Sequence, residues 1–304
     1  MNHSWEEKFK KWKNPPSDTE DSKCENAERM IREAIQEYSG FKDKVIEVFA
    51  KGSYKNNTNV KLDSDVDVSV CYKSSFYSDF QFAQGFTKQD VGLIDSKYKF
   101  SEFKDEVILA LKAKFGGPSV KRGNKSIKIH GNSYRIVADA VPAFEHRIYT
   151  HRDSKGGFQY TSGVKLIADD GSVVNNYPKQ DYSKGVEKNL VTGKNYKFLV
   201  RILKKLRNEM QEKSISEAQN IASFLIESLV YNSPSDCFSH QYYYDDLSSI
   251  LVYLYSKVKE DKTSKDMLEV NEIKYLFSSV QPWTRIQAHD FIVAAYNYVY
   301  GDDK

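Results

Sequence analysis

The sequence predicts an α+β protein in two lobes, a helix-backed mixed sheet followed by a C-terminal helical lobe. Three observations carry that expectation. Before about residue 150, short β-type runs alternate with amphipathic helical runs. After about 190 the pattern is helical almost to the end, and no internal repeat interrupts either half. At roughly 150 residues per domain, a chain of 304 residues suits one bilobal unit. The boundary is expected at 190: residues 1–190 form the first lobe, whose N-terminal helix packs back on the second, and 191–304 form the helical lobe.

The elements follow from periodicity. Ala27, Met30, Ile31, Ala34, Ile35 and Tyr38 recur at helical spacing over 26–39, and Gly40 stops the run. VIEVFA (45–50) reads as a strand, 52–65 as a polar loop, and VDVSVCY (66–72) as an alternating strand. Phe103, Val107, Ile108, Leu111 and Phe115 share one helical face over 101–115. Three β runs follow, SVKRG, SIKIH and YRIVADAVPAF; the Gly-Asn at 123–124 forms a hairpin between the first two, and Pro142 ends the third. Residues 151–192 are rich in turn signals, after which 195–210, 216–232, 241–258 and 284–299 are helices.

Composition removes several classes of protein. Lys+Arg number 45 against 42 Asp+Glu, a net charge of +3 that is too small for a dedicated nucleic-acid binder. Three widely spaced cysteines, Cys24, Cys71 and Cys237, suit neither a disulfide framework nor a structural zinc site and point to a reducing compartment. The start, MNHSWEEKFKKW, has no signal-peptide core, and runs such as 221–231 are too short and polar to span a bilayer. A cytoplasmic protein without a membrane partner is expected.

Chemistry concentrates in Gly52-Ser53, Thr58 and Ser64-Asp65-Val66-Asp67. Asp65 and Asp67, two apart at the start of a strand, point to one face. Two carboxylates in one space need a proton or a cation between them, and hard oxygen ligands completed by phosphate oxygens suit Mg²⁺. A Gly-Ser turn after a strand offers N–H groups and a hydroxyl to phosphates. An isolated D-x-D is equally what a solvated, Asx-capped turn looks like; the combined spacing favours the chemical reading. Asp139 lies in an apolar strand, where a charge must be salt-bridged or coordinate something.

The pattern G-S-x4-T-x5-S-D-x-D with a later V-A-D-A-V-P-A-F strand resembles the polymerase-β-type nucleotidyltransferase fold. More narrowly it resembles the bacterial cyclic GMP–AMP synthase/DncV-like nucleotidyltransferases, the CD-NTases. NNYPKQ (175–180), YKFLVRILKKLRN (196–208) and ASFLIESL (222–229) resemble that family's lobe-linking segment, basic helix and S-F-x-x-E helix, so the likeness spans about 40–235. Asn57 departs from the family's usual Gly, though Asn tolerates left-handed backbone. Asp181 stands where His is frequent, and nothing matches the zinc thumb of the DNA-sensing animal enzyme.

The resemblance implies a nucleotidyltransferase of EC 2.7.7 type that joins NTPs (ATP, GTP or UTP) into a cyclic oligonucleotide, foremost a cyclic dinucleotide, as a second messenger in bacterial anti-phage signalling. It implies two Mg²⁺ (or Mn²⁺) ions on Asp65, Asp67 and Asp139, and Gly52 and Ser53 on the phosphates. Lys204 and Ser223 match positions that contact donor phosphates; without the resemblance they read as a solvated helix face and a small helix residue. Asn176 could read a base edge, since an amide both donates and accepts. Tyr54 and the tyrosines of 241–246 either stack on bases or pack, and packing is preferred for the tyrosine run. His130, His146 and the three Trp read as structural. A monomer with no DNA activator is expected, its product sensed by a separate effector. The competing expectations are transfer of a nucleotide to RNA or a small-molecule acceptor, and a non-catalytic nucleotide-binding module.

Overall fold

The computed structural model describes residues 3–60, 65–83, 85–152 and 154–301, without the side chain of Asp18. Helices α1 (His3–Trp12) and α2 (Asp18–Glu37) precede strand β1 (Ile46–Lys51). One helical turn, α3 (Gly52–Lys55), leads towards strand β2 (Val66–Asp79) and helix α4 (Phe100–Phe115). Strands β3 (Val120–Arg122), β4 (Ile127–Ile129), β5 (Ala138–Arg152), β6 (Phe158–Ile167) and β7 (Val173–Asn176) follow. Helices α5 (Pro178–Val191), α6 (Asn195–Glu212), α7 (Ser223–Tyr231), α8 (Tyr243–Val258), α9 (Asp261–Ser264) and α10 (Arg285–Tyr300) come last.

Among the described residues the strands form one mixed sheet, ordered β1-β2-β5-β4-β3, with β6 on β5 and β7 on β6. β2 and β5 run parallel and the other pairs antiparallel. Alternation along β2 sends Val66, Val68 and Val70 to one face, level with Ala138 and Ala140 of β5. There they join Ile31 of α2 and Phe103, Val107 and Leu111 of α4 in a continuous core. Asp67, Ser69 and Cys71 take the other face.

Several local expectations change. Residues 52–55 are a helical turn rather than loop, and 216–232 divides into a short 3-10 turn (Ser216–Ala218) and α7. The turn-rich stretch 151–192 holds β6, β7 and α5; β6 is half-exposed with polar residues on both faces, so its apolar signal is weak. Pro142 lies within β5 instead of ending it. It pairs with Val70 on the parallel side, while β4 pairs with 138–140 and β6 from Phe144 onward. The missing N–H of the proline therefore falls in the gap between two neighbouring strands and costs no ladder bond.

The chain groups into two compact units, Ser17–Tyr54 with Ser64–Pro178, and Met1–Pro16 with Lys55–Asp63 and Lys179–Lys304. Each is discontinuous, where the texture of the sequence suggested one boundary near 190. The second unit is built on α6, whose Leu199, Leu203 and Leu206 are fully buried with Leu225 and Leu229 of α7, Leu247 and Leu251 of α8 and Phe291 of α10. Phe9 of α1 completes that core. The three cysteines are free and buried, and burial pushes the Cys24 thiol up to about 11. No helix among the described residues is long and apolar enough to cross a membrane.

Phe103 stands at the centre of the first core, in ring contact with Phe41, Tyr72, Tyr98 and Phe144. Phe103→Ala is expected to lower stability by about 3–5 kcal/mol. Urea unfolding checks this; a loss below about 1 kcal/mol would mean that the helix–sheet core repacks freely.

Candidate active site

The parallel register of β2 and β5 sets Asp67 directly beside Asp139. The flanking registers extend the row, with Lys51 of β1 opposite Asp67 and Lys128 of β4 opposite Asp139. Neighbouring strands lie about 4.8 Å apart, and paired residues project to one side. A lysine–aspartate–aspartate–lysine row therefore crosses the sheet on the face away from α2 and α4. Burial pushes the Asp67 carboxyl above its usual range; Lys51 draws it down, while Asp139 and Asp65 push it further up. Asp139 Oδ1 is buried and has no hydrogen-bond partner among the described residues.

Asp65 is placed differently. Its Oδ2 accepts from the Lys128 ammonium at 2.9 Å, and about half of its side chain is exposed. Among the described residues no three Asp, Glu, His or Cys side chains close around a point where a metal ion could sit. The Asp67–Asp139 pair nevertheless fits a divalent cation. Both supply hard oxygen donors, and a buried carboxylate oxygen without a donor lacks the partner its charge requires.

Gly52 follows directly from β1 with φ +68°, and a Cβ there would lie 3.0 Å from Asp67 Oδ2. The turn backbone thus passes over the carboxylate, an approach and a conformation that glycine alone combines without strain. Ser53 is half-buried, and its hydroxyl takes no hydrogen bond among the described residues. Asp63 and Ser64 of the motif lie outside the described residues. Tyr54 packs against the core of the sheet unit, and burial raises its hydroxyl to about 12.

Two residues beyond Ser53 the chain joins the helical unit, where a buried polar cluster grips it. The side chains of Asn56 and Thr58 donate to the two oxygens of Glu227 at 2.9 and 2.7 Å. Lys204 Nζ donates to the Thr58 carbonyl at 3.0 Å and lies 3.4 Å from Glu227. Arg201 donates to the carbonyls of Asn57 and Lys13. Asn57 takes left-handed backbone, φ 52°, the conformation its amide side chain tolerates. Lys204, expected on donor phosphates or on a solvated face, is 1% exposed. A buried ammonium needs a compensating anion, and Glu227 supplies it. Ser223 Oγ accepts from Arg207 at 3.1 Å.

Asn176 ends β7 opposite Val164 of β6, and its side-chain amide takes no hydrogen bond among the described residues. Asp181, in the first turn of α5, accepts from Asn271 at 3.0 Å. Burial, with Glu269 and Glu227 nearby, raises its carboxyl to about 7. The tyrosines of 241–246 pack: Tyr244 lies 4.6 Å from Tyr300, and Tyr243 meets Phe198 and Lys13. His130 is exposed, His146 is buried, and all three Trp pack in the helical unit.

These features meet known proteins. A family model of the nucleotidyltransferase domain matches residues 28–137, and one of the cGAS/DncV-like nucleotidyltransferase C-terminal helical domain matches 183–300. Over 98% of its length the chain is 41% identical to the cyclic dipyrimidine nucleotide synthase CdnE of Legionella pneumophila, spanning 99% of that protein. The chain belongs to the cGAS/DncV-like nucleotidyltransferases. It is also 37% identical, over 97% of its length and 98% of the relative's, to the cyclic dipyrimidine nucleotide synthase CdnE of Cecembia lonarensis. The solved structure of the Rhodothermus marinus CdnE c-UMP-AMP synthase with Apcpp and Upnpp is similar to it, with TM-score 0.84 and 27% identity over 98% of this chain and 97% of that one. As a CD-NTase the chain has the polymerase-β-like fold and is a nucleotidyltransferase, and nucleotidyltransferases of this kind generally use divalent metal ions.

The motifs of the sequence include neither Lys51 nor Lys128 beside the carboxylates, and they contain Glu227, the acid of S-F-x-x-E, without its role as the anchor of Thr58. Strand register places the lysines and tertiary contact the glutamate; spacing along the chain carries neither.

Two outcomes are expected here. Glu227→Ala leaves the Lys204 ammonium buried without its anion and should cost about 3–5 kcal/mol in urea unfolding. Asp181 contributes stability when protonated; its raised pKa means that this contribution is whole below about pH 4 and is lost as pH rises through about 7. Asp181→Asn should therefore raise the melting temperature at pH 8 and change it little at pH 4, a contrast that thermal melts at the two pH values would read directly.

Proposed function

We propose that the chain joins nucleoside triphosphates into a cyclic dinucleotide and that pyrimidine nucleotides are among its substrates. One observation carries the chemistry: Asp67 and Asp139 stand side by side, and a buried oxygen of Asp139 has no partner among the described residues. The product class is supported by two relatives, 41% and 37% identical over nearly the whole chain, that are cyclic dipyrimidine nucleotide synthases.

In this reading a ribose hydroxyl of one nucleotide attacks the α-phosphorus of another, an O–P bond forms, and pyrophosphate departs. A second such transfer closes the ring. Asp67 and Asp139 would hold the two divalent cations, and Asp65, now paired with Lys128, would be the third ligand. Bound there, Mg²⁺ or Mn²⁺ would lower the pKa of the attacking hydroxyl and neutralise the departing pyrophosphate. Gly52 and Ser53 offer a close backbone approach and a free hydroxyl to the phosphates. Lys204 positions the Thr58 segment through its carbonyl, and Ser223 reaches a phosphate only by exchanging its bond with Arg207. Asn176 reads a base edge with its side-chain amide, which takes no hydrogen bond among the described residues. Lys51 and Lys128 limit the charge of the carboxylate row. An effector that senses the product, in bacterial anti-phage signalling, belongs to the same proposal through family membership.

Incubation with the four NTPs and Mg²⁺ or Mn²⁺, followed by phosphatase and mass spectrometry, tests this reading. A phosphatase-resistant cyclic product containing a pyrimidine is expected. Asp67→Asn and Asp139→Asn should each reduce it at least about a hundredfold. Product that forms only when RNA or a small-molecule acceptor is added would replace the synthase reading with acceptor-dependent transfer.

A further inference from the structure

Asn176 can read a base only if β7 holds it still, and the surroundings of Tyr177 show how that is done. Tyr177, the residue after β7, is buried, and its hydroxyl lies 3.2 Å from His146 Nδ1. His146 is 2% exposed and lies in β5 opposite Gly163 of β6. Its other nitrogen, Nε2, is 3.8 Å from Asp79 Oδ2 at the end of β2. Burial lowers the pKa of His146, which favours the neutral ring. The Asp79 carboxylate on the Nε2 side favours the tautomer with its proton there, leaving the Nδ1 lone pair to accept from Tyr177.

Gly163 completes the seat. A Cβ at that position would lie 2.6 Å from Tyr177 Cδ1 and 2.7 Å from the Asn176 carbonyl oxygen. Any side chain there would displace the aromatic ring and the Asn176 backbone together. The seat holds Tyr177 from two sides, by hydrogen bond from β5 and by close packing on β6, and Asn176 is the adjoining residue.

We propose that Tyr177, seated by His146 and Gly163, is a positioning residue for Asn176 and thereby sets the base selectivity of the enzyme. The inference rests on the base-reading role of Asn176 proposed above. Loss of the tyrosine hydroxyl would leave the ring packed but free its tip, letting the Asn176 amide wander and discriminate less among bases.

The test measures dissociation constants of non-hydrolysable UTP and ATP analogues in the presence of Mg²⁺, so it does not depend on product identity. Wild type, Tyr177→Phe, Asn176→Ala and the double variant are compared, with Gly163→Ala as an independent perturbation of the same seat. Tyr177→Phe and Gly163→Ala are each expected to change the UTP/ATP affinity ratio by about fivefold or more, and Tyr177→Phe to have no further effect in the Asn176→Ala background. A purely structural role would weaken both nucleotides alike and act equally in either background. That result, or an unchanged ratio in Tyr177→Phe, overturns the proposal while leaving Asn176 as a reader if Asn176→Ala itself shifts the ratio. An unchanged ratio in Asn176→Ala overturns the base-reading role and this inference together.

Discussion

Two carboxylates held in adjacent, directly paired positions of a parallel strand pair are the constraint around which the polar face of the sheet is organised. Asp67 and Asp139 cannot move apart without breaking the β2–β5 register, which also aligns Val66 with Ala138 and Val68 with Ala140 in the core on the other face. Slipping either strand by one residue would turn its own carboxylate into the core and expose its own apolar set. The repulsion is therefore locked in by core packing, and what surrounds it answers that repulsion. Lys51 and Lys128 flank the pair, Lys128 binds Asp65, and the Gly52 turn closes over Asp67 with room only for a hydrogen at Cα. A face arranged in this way leaves the charge of its carboxylates incompletely compensated.

Buried polar clusters elsewhere solve the opposite problem, holding backbone still. Asn56 and Thr58 follow the Gly52-Ser53 turn by only a few residues, and the helical unit grips them through Glu227, Lys204 and Arg201. A salt bridge so deeply buried contributes little net stability. Its value here is geometric, since two side-chain hydrogen bonds and a carbonyl contact leave the segment few alternatives. The seat of Tyr177 in the sheet unit works similarly, combining one hydrogen bond with a glycine whose bareness fixes how near the ring can lie.

Much of the site was legible along the chain because its pieces are local. Gly52, Ser53, Asp65 and Asp67 lie within sixteen residues; a strand's period of two predicts a shared face for the last pair, but Asp65 precedes β2 and turns to Lys128 instead. Asp139 was legible as an anomaly, a charge within apolar alternation. The long helices α6, α8 and α10 appeared where periodicity placed them. The misjudged parts fail for physical reasons. Pro142 ends a strand only if the neighbour on its N–H side needs that donor, and here β4 and β6 leave a gap beside it. β6 shows polar residues on both faces, so its pairing is dictated by neighbours rather than by its own pattern.

By itself the sequence determined the α+β class, the alternation that turns Asp67 to one side of its strand and the valines to the other, and the motif that assigns the chain to nucleotidyl transfer. Each depends on residues near one another in the chain, where spacing and geometry are nearly the same thing. Only the tertiary structure decided that Lys51 and Lys128 flank the aspartates, that Asp65 pairs with Lys128, and that Lys204 is a buried partner of Glu227 rather than an exposed cation. Those outcomes depend on register and burial among segments far apart in sequence, from 51 to 128 and from 58 to 227. The free energy of a charge is set by what surrounds it in space, and that neighbourhood exists only once the chain has folded.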